Sequence, residues 1–121
     1  MSYCLVDTSV WVDFFRSENS KLGELLDEGL VLLHPFVFGE LACGNFKNRE
    51  TIFSLLNNLP FCKPALHKEF LQFIELHRFF GQGVGWVDFH LLVACKINQI
   101  QILTLDKKLL SLAKKMDLSY K

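Results

Sequence analysis

The feature that most constrains the fold is an alternation: short apolar runs, each followed at once by a stretch with helical periodicity. Residues 3 to 6 read as a strand, and Ser9 to Arg16 follow as a helix whose Val10, Trp11, Phe14 and Phe15 give a wide apolar face. Leu22, Leu25 and Leu26 mark a second helix, with Gly29 placed to close it as a C-cap. "LVLL" at 30–33 is the next strand, and Pro35 suits the first turn of a helix running to about Gly44. Ile52, Leu55, Leu56 and Leu59 recur at helical spacing and stop at Pro60, and Leu66, Phe70, Phe73, Ile74 and His77 nearly repeat the pattern before "GQGVG". Trp86 to Asn98 form another helix, "IQILT" at 100–104 a strand, and Leu109, Leu112, Ala113 and Met116 a last amphipathic helix. Such alternation implies parallel pairing through right-handed crossovers, hence an α/β three-layer domain.

A chain of 121 residues has room for one domain, residues 1–121, and 50% hydrophobic content gives it a core that needs no staples. No repeat, linker or low-complexity tract divides it. The greasiest region, Leu30 to Phe38, is interrupted by His34 and Pro35, and the N-terminus lacks the basic start of a secretory signal. A cytosolic protein without a membrane segment is expected. Cys4, Cys43, Cys62 and Cys95 form no CxxC pair and read as reduced core thiols, neither a zinc site nor a disulfide frame.

In open parallel sheets, ligands bind beyond the carboxyl ends of the strands. Asp7 and Asp106 each follow a strand and precede a helix, so the sheet brings them to one edge. The ordinary use of Asp7, Thr8 or Ser9 at such a place is to cap the helix. Glu40 has Phe36 and Val37 as its i−4 and i−3 neighbours and projects from an apolar face. Asp88 shares its stripe with Leu91, Leu92 and Cys95. Each has a plain alternative, Glu40 reaching solvent past a small residue and Asp88 serving as a first-turn acid favoured by the helix dipole. Both on apolar stripes without a lysine or arginine are harder to dismiss, because an unpaired buried carboxylate costs several kcal/mol. Four converging carboxylates repel one another unless some are protonated or a divalent metal neutralises them. Hard oxygen donors select Mg²⁺, with Mn²⁺ able to substitute, and the chemistry such sites usually perform is phosphoryl transfer with a metal-activated water.

"LVDTSVWVDFFR", "HPFVFGELACGN", "GVGWVDFHLLVA" and "LTLDKKL", taken in that order and spacing, resemble the PIN-domain ribonucleases, and more narrowly the VapC-type toxins of bacterial type II toxin–antitoxin pairs. The resemblance covers the whole chain. It implies a PIN-like α/β/α fold around a central, mainly parallel sheet of about four or five short strands. It also implies an Mg²⁺-dependent endoribonuclease leaving a 5′-phosphate and a 3′-hydroxyl, and a cognate VapB-type antitoxin as partner. Asp7, Glu40, Asp88 and Asp106 match the family's acidic quartet, as catalytic and metal-holding residues. Thr8 or Ser9 matches the hydroxyl after the first aspartate, and Thr104 the hydroxyl before the last; these are candidates to orient a carboxylate or a metal-held water. The chain departs from the pattern in a short 60–66 segment with two prolines and in a tail with little beyond a possible last strand.

Formal charge is zero, 13 basic against 13 acidic residues, so composition alone points to no nucleic acid. With the quartet set aside, 13 basic groups face 9 acidic ones, an excess that suits a phosphate backbone. Arg16, Lys47 and Arg49 are the candidate RNA contacts, against the plain reading of a solvated surface. Trp11, Phe14, Phe15, Phe79 and Phe80, among 12 phenylalanines, exceed what one small core requires, so some are expected in a homodimer interface or an antitoxin groove, with core packing the better reading for any single one. His90, two positions after Asp88, points away from it, and His34, His67 and His77 show no metal spacing. "GQGVGW" lacks the dinucleotide spacing and follows a helix. An aspartate-nucleophile phosphatase wants an acid where Ser9 stands, and a receiver module wants an acidic pair that is absent. The rivals left are a PIN-like nuclease of RNA processing outside a toxin pair and an idle PIN-like binding module.

Overall fold

A computed structural model describes residues 2–17 and 20–120 of the chain. In chain order the elements are β1 (Cys4–Val6), α1 (Thr8–Ser17), α2 (Ser20–Asp27), β2 (Val31–Leu32), α3 (Pro35–Ala42), α4 (Arg49–Asn57), α5 (His67–His77), α6 (Trp86–Asn98), β3 (Gln101–Leu103) and α7 (Lys107–Lys115). The strands form a parallel sheet in the order β2-β1-β3, with Cys4 and Leu5 beside Val31 and Leu32 on one side and Cys4 to Val6 beside Gln101 to Leu103 on the other. All three residues of β1 are fully buried, as a strand flanked on both edges requires.

The expected four or five strands are three among the described residues, with a single bridge extending each edge. Leu33 bridges Phe61 and Ile102 bridges Ser119, both in parallel, so five chain segments lie side by side. At the first edge the cause is proline: Phe61 sits between Pro60 and Pro64, which have no N–H to give to a ladder. Only Leu33 N to Pro60 O, at 2.9 Å, and Cys62 N to Leu33 O, at 3.0 Å, close that contact. At the other edge the Ile102 amide donates to the Leu118 carbonyl at 2.7 Å and its carbonyl accepts the Tyr120 amide at 2.9 Å.

α1 packs against α2 and α3, while α6 packs against β3 and α5. α6 is the core helix: Phe89 to Cys95 are buried without interruption, the signature of a helix covered all round. Gly29 has φ +70° just past α2, as the C-cap reading requires. Pro35 opens α3 as expected, and His34 supplies a cap the sequence did not announce, its Nδ1 accepting the Phe36 amide at 2.9 Å. The cysteines are unpaired, Cys4, Cys62 and Cys95 buried and Cys43 exposed. Trp11, 2% exposed, is core, and Phe14, Phe15 and Phe79 pack against it, leaving Phe80 as the exposed member of the aromatic set proposed for an interface.

Candidate active site

Asp7 leaves the middle strand, so its carboxylate stands at the centre of the sheet's carboxyl edge, and it is 5% exposed. The carboxylate meets α1 only at the amide of its first residue, Thr8, while the Val10 and Trp11 amides donate to the Asp7 carbonyl, at 3.1 and 3.3 Å. Three donors hold the side chain. The Thr8 amide bonds Oδ1 at 2.7 Å, and the hydroxyls of Ser9 and Thr104 both bond Oδ2 at 2.7 Å. These hydroxyls in turn accept from the chain leaving β3, Leu105 N to Ser9 Oγ and Asp106 N to Thr104 Oγ1, each at 3.0 Å. Two strand ends remote in sequence are thereby laced together through one carboxylate.

Glu40 reaches this edge from α3. It is exposed, and its Oε1 accepts the Thr8 hydroxyl at 2.6 Å. The two hydroxyls after Asp7 therefore divide their work, Thr8 holding Glu40 and Ser9 holding Asp7. Asp106 is where the capping reading applies: its Oδ1 accepts the Leu109 amide at 2.9 Å and caps α7. Asp88 is a first-turn residue of α6, half-buried. Burial pushes its carboxyl up to about 6, and the charges of Asp7, Asp106 and Glu40 push in the same direction. All four acids thus act on one region, although they come from four different elements.

The donor set fits a hard divalent cation in chemistry and charge: oxygen ligands, crowded negative charge, and no protein cation among the causes acting on Asp88. The side chains do not stand ready around one point. Among the described residues no three acidic, histidine or cysteine groups are close enough to hold an ion as placed. Two of the four acids are turned to other donors, Glu40 to the Thr8 hydroxyl and Asp106 to the Leu109 amide. Both are exposed and both use only one oxygen in that bond.

A cleft of about 670 Å³ opens beside Thr8 and Glu40, with Arg16 and Lys47 in its lining. Arg49 is not in that lining; its guanidinium donates to the Ala42 and Gly44 carbonyls and lies 4.7 Å from the Phe53 ring centre, bracing the α3–α4 loop. Asn45 and Asn48 also line the cleft, and the sequence reading missed them, because two asparagines in a polar loop carry no periodic signal. His90 lies away from the acids, stacked flat on Phe70 at 3.9 Å, and burial lowers its basicity. His34 is likewise buried, its pKa lowered to about 4 by burial and then by His90.

The matching family profile is that of the PIN domain, over residues 4–115, from the first strand to the end of the last helix. Ribonuclease VapC32 of Mycobacterium tuberculosis, in strains CDC 1551 / Oshkosh and ATCC 25618 / H37Rv, is 38% identical to this chain over 106 residues, 87% of this chain and 86% of the relative. The strand-end aspartate and its lacing hydroxyls thus sit in a chain matched along nearly its whole length, and the chain belongs to the PIN-domain family, in its VapC branch.

Proposed function

We propose that the chain is the toxin of a VapBC-type pair, an endoribonuclease dependent on Mg²⁺, with Mn²⁺ able to substitute, that hydrolyses an RNA phosphodiester. Its similarity to proteins named Ribonuclease VapC32 supports the activity class. The observation that carries the metal reading is Asp88, held near a carboxyl pKa of 6 by burial and by three neighbouring acids, a strain that a divalent cation relieves. Asp7, Glu40, Asp88 and Asp106 are the residues to hold it. Held there, Mg²⁺ would supply a counter-charge for the phosphate and would lower the pKa of a water so that, on losing a proton, it can serve as the nucleophile.

The chain's own residues do the positioning. Ser9 and Thr104 fix the orientation of Asp7, and Thr8 fixes that of Glu40. Arg16 and Lys47, beside Glu40 in the cleft, draw the RNA backbone toward the acids, and Arg49 serves RNA through the loop it braces. Right-handed crossovers put α1 to α4 on one face of the sheet and α5 to α7 on the other, a three-layer single domain whose acids gather at one edge. A VapB-type antitoxin and a second copy of the chain are the protein partners. Exposed apolar residues such as Phe61, Phe80 and Trp86 are available to them. No helix among the described residues is long and apolar enough to cross a membrane; the proposed place of action is the cytoplasm.

Purified protein incubated with structured RNA tests the proposal. Cleavage that needs Mg²⁺, stops with EDTA, leaves 5′-phosphate ends and is absent in Asp7→Asn is the expected result. RNA bound but uncut by the wild type in Mg²⁺ overturns the enzyme and leaves an idle binding module.

A further inference from the structure

The cleft beside Glu40 has a composition that phosphate binding alone does not require. Beyond Thr8, Glu40, Arg16 and Lys47 it is lined by apolar Val12, Phe15, Phe46 and Ile52 and by two amides, Asn45 and Asn48. Its volume of about 670 Å³ falls in the range of small-molecule sites, roughly 300–1,000 Å³, which are mostly apolar with a few placed polar groups. Phe46 is stacked on Phe15 and Phe53, so the apolar part offers ring edges and the aliphatic side chains of Val12 and Ile52. A side-chain amide offers both a donor and an acceptor, the equipment needed to read the edge of a base.

The walls are stiff. Phe46 is stacked on Phe15 at 4.9 Å and 26° and on Phe53 at 5.6 Å and 23°, so it is gripped between α1 and α4. Arg49 covers Phe53 and ties down the carbonyls of Ala42 and Gly44, at the start of the same loop. Asn48 holds φ +58° at the start of α4, a conformation asparagine tolerates better than most residues. A loop braced at both ends fixes the backbone that carries the exposed Asn45 and Asn48, which reduces the ordering cost of binding.

We infer that this cleft is a nucleobase subsite, in which Asn45 and Asn48 select one base of a single-stranded RNA beside the phosphate presented to the acids. The inference rests on the ribonuclease reading and adds to it the residues that choose where RNA is held. RNA is favoured over a protein segment on charge. Glu40 is held by the Thr8 hydroxyl, and the other charged lining residues, Arg16 and Lys47, are cations suited to phosphate. Single-stranded RNA is read partly by hydrogen bonds to the edges of splayed bases, which is the part the two amides can supply.

The test is equilibrium binding of short single-stranded RNAs, identical except for one base, to Asp7→Asn protein by fluorescence anisotropy, so that no strand is cut. One base at one position is expected to bind at least about tenfold tighter than the others. Asn45→Ala, or Asn48→Asp, which keeps the left-handed backbone accessible, reduces that preference to less than about threefold by weakening the favoured RNA. Arg16→Ala weakens all the RNAs together and steepens none of the differences. A preference that survives both asparagine variants, or no preference at all, overturns the subsite. So does a result in which the variants bind RNA as before and lose affinity for the antitoxin, which makes the cleft a protein groove. Wild-type cleavage assayed in parallel separates the two readings: cutting without base preference sinks the subsite alone, and base preference without cutting sinks the nuclease alone.

Discussion

Asp7 accepts three hydrogen bonds at 2.7 Å, two of them from hydroxyls that themselves hold backbone amides of the other strand end. Removing one hydroxyl therefore does two things. It frees the carboxylate to turn, and it strands an amide, costing about 1 kcal/mol of stability. Ser9→Ala and Thr104→Val are each expected to lower kcat about 10- to 100-fold and to raise the Mg²⁺ concentration for half-maximal activity, with KM for RNA little changed. Steady-state cleavage of a short fluorogenic RNA across a Mg²⁺ series reads all three quantities; a KM effect alone defeats the assignment. At this scale Asp7 at a strand end and Asp88 on an apolar stripe stood out as wrong settings for ordinary polar residues, whereas Glu40 reaches solvent past its apolar neighbours. The division of labour between Thr8 and Ser9 was not legible, since adjacent hydroxyls differ only in where the first helical turn points them. Nor were Asn45 and Asn48, whose position means something only once α1 is laid against the loop.

Among the elements, the helices were the readable part and the strands the less readable. α6 ends where its periodicity says, at Asn98, because a helix covered all round declares itself by an unbroken apolar run. Strands of two and three residues declare little, and whether Phe61 and Ser119 form strands or single bridges depends on partner N–H groups that no local pattern reveals. Cap chemistry shows the same division. Gly29 announced its left-handed turn, whereas α6 closes through Gln99 at φ +57°, with Ile100 N bonded to Cys95 O at 3.0 Å. A side chain in that conformation costs on the order of 1 kcal/mol that glycine avoids. Gln99→Gly is expected to stabilise the protein by about 0.5–1 kcal/mol and to raise Tm by about 2–5 °C, without altering cleavage. Differential scanning calorimetry decides it, and an unchanged or lower Tm shows that the Gln99 side chain contributes more than its backbone costs. The α3–α4 loop gives the second case. Arg49 holds two carbonyls with a planar fork and covers Phe53, which a lysine cannot reproduce. Arg49→Lys is expected to lose about 1–2 kcal/mol in a urea titration, most of the loss seen for Arg49→Ala.

For the whole molecule, the cost of gathering four acids at one edge appears as a dependence of stability on pH. The Asp88 carboxyl titrates near 6 in the folded chain, above its ordinary 3.8, through burial first and then Asp7, Asp106 and Glu40. The folded state therefore binds the proton more tightly than the unfolded state between those values. Where the folded state holds more protons, stability falls as pH rises, so the metal-free protein loses stability from about pH 4 to pH 6 and has lost all of this contribution above about pH 7. Because Asp88 is only half-buried, solvent screening reduces the effect to about 1–2 kcal/mol. Asp88→Asn removes the charge and keeps the shape, so at pH 7.5 in EDTA it is expected to melt higher than the wild type and to lose the decline across pH 4–6. Mg²⁺ reverses the order: a cation held by the acids stabilises the wild type by about 2.7 kcal/mol at a hundred times its dissociation constant, and Asp88→Asn, with a weaker site, by clearly less. Melting both proteins at pH 5, 6 and 7.5, with EDTA and with Mg²⁺, is a single experiment on the electrostatic origin of the site. If Asp88→Asn is less stable than the wild type in EDTA at pH 7.5, the crowding of the acids is not what strains Asp88, and the reason for a cation at this edge goes with it.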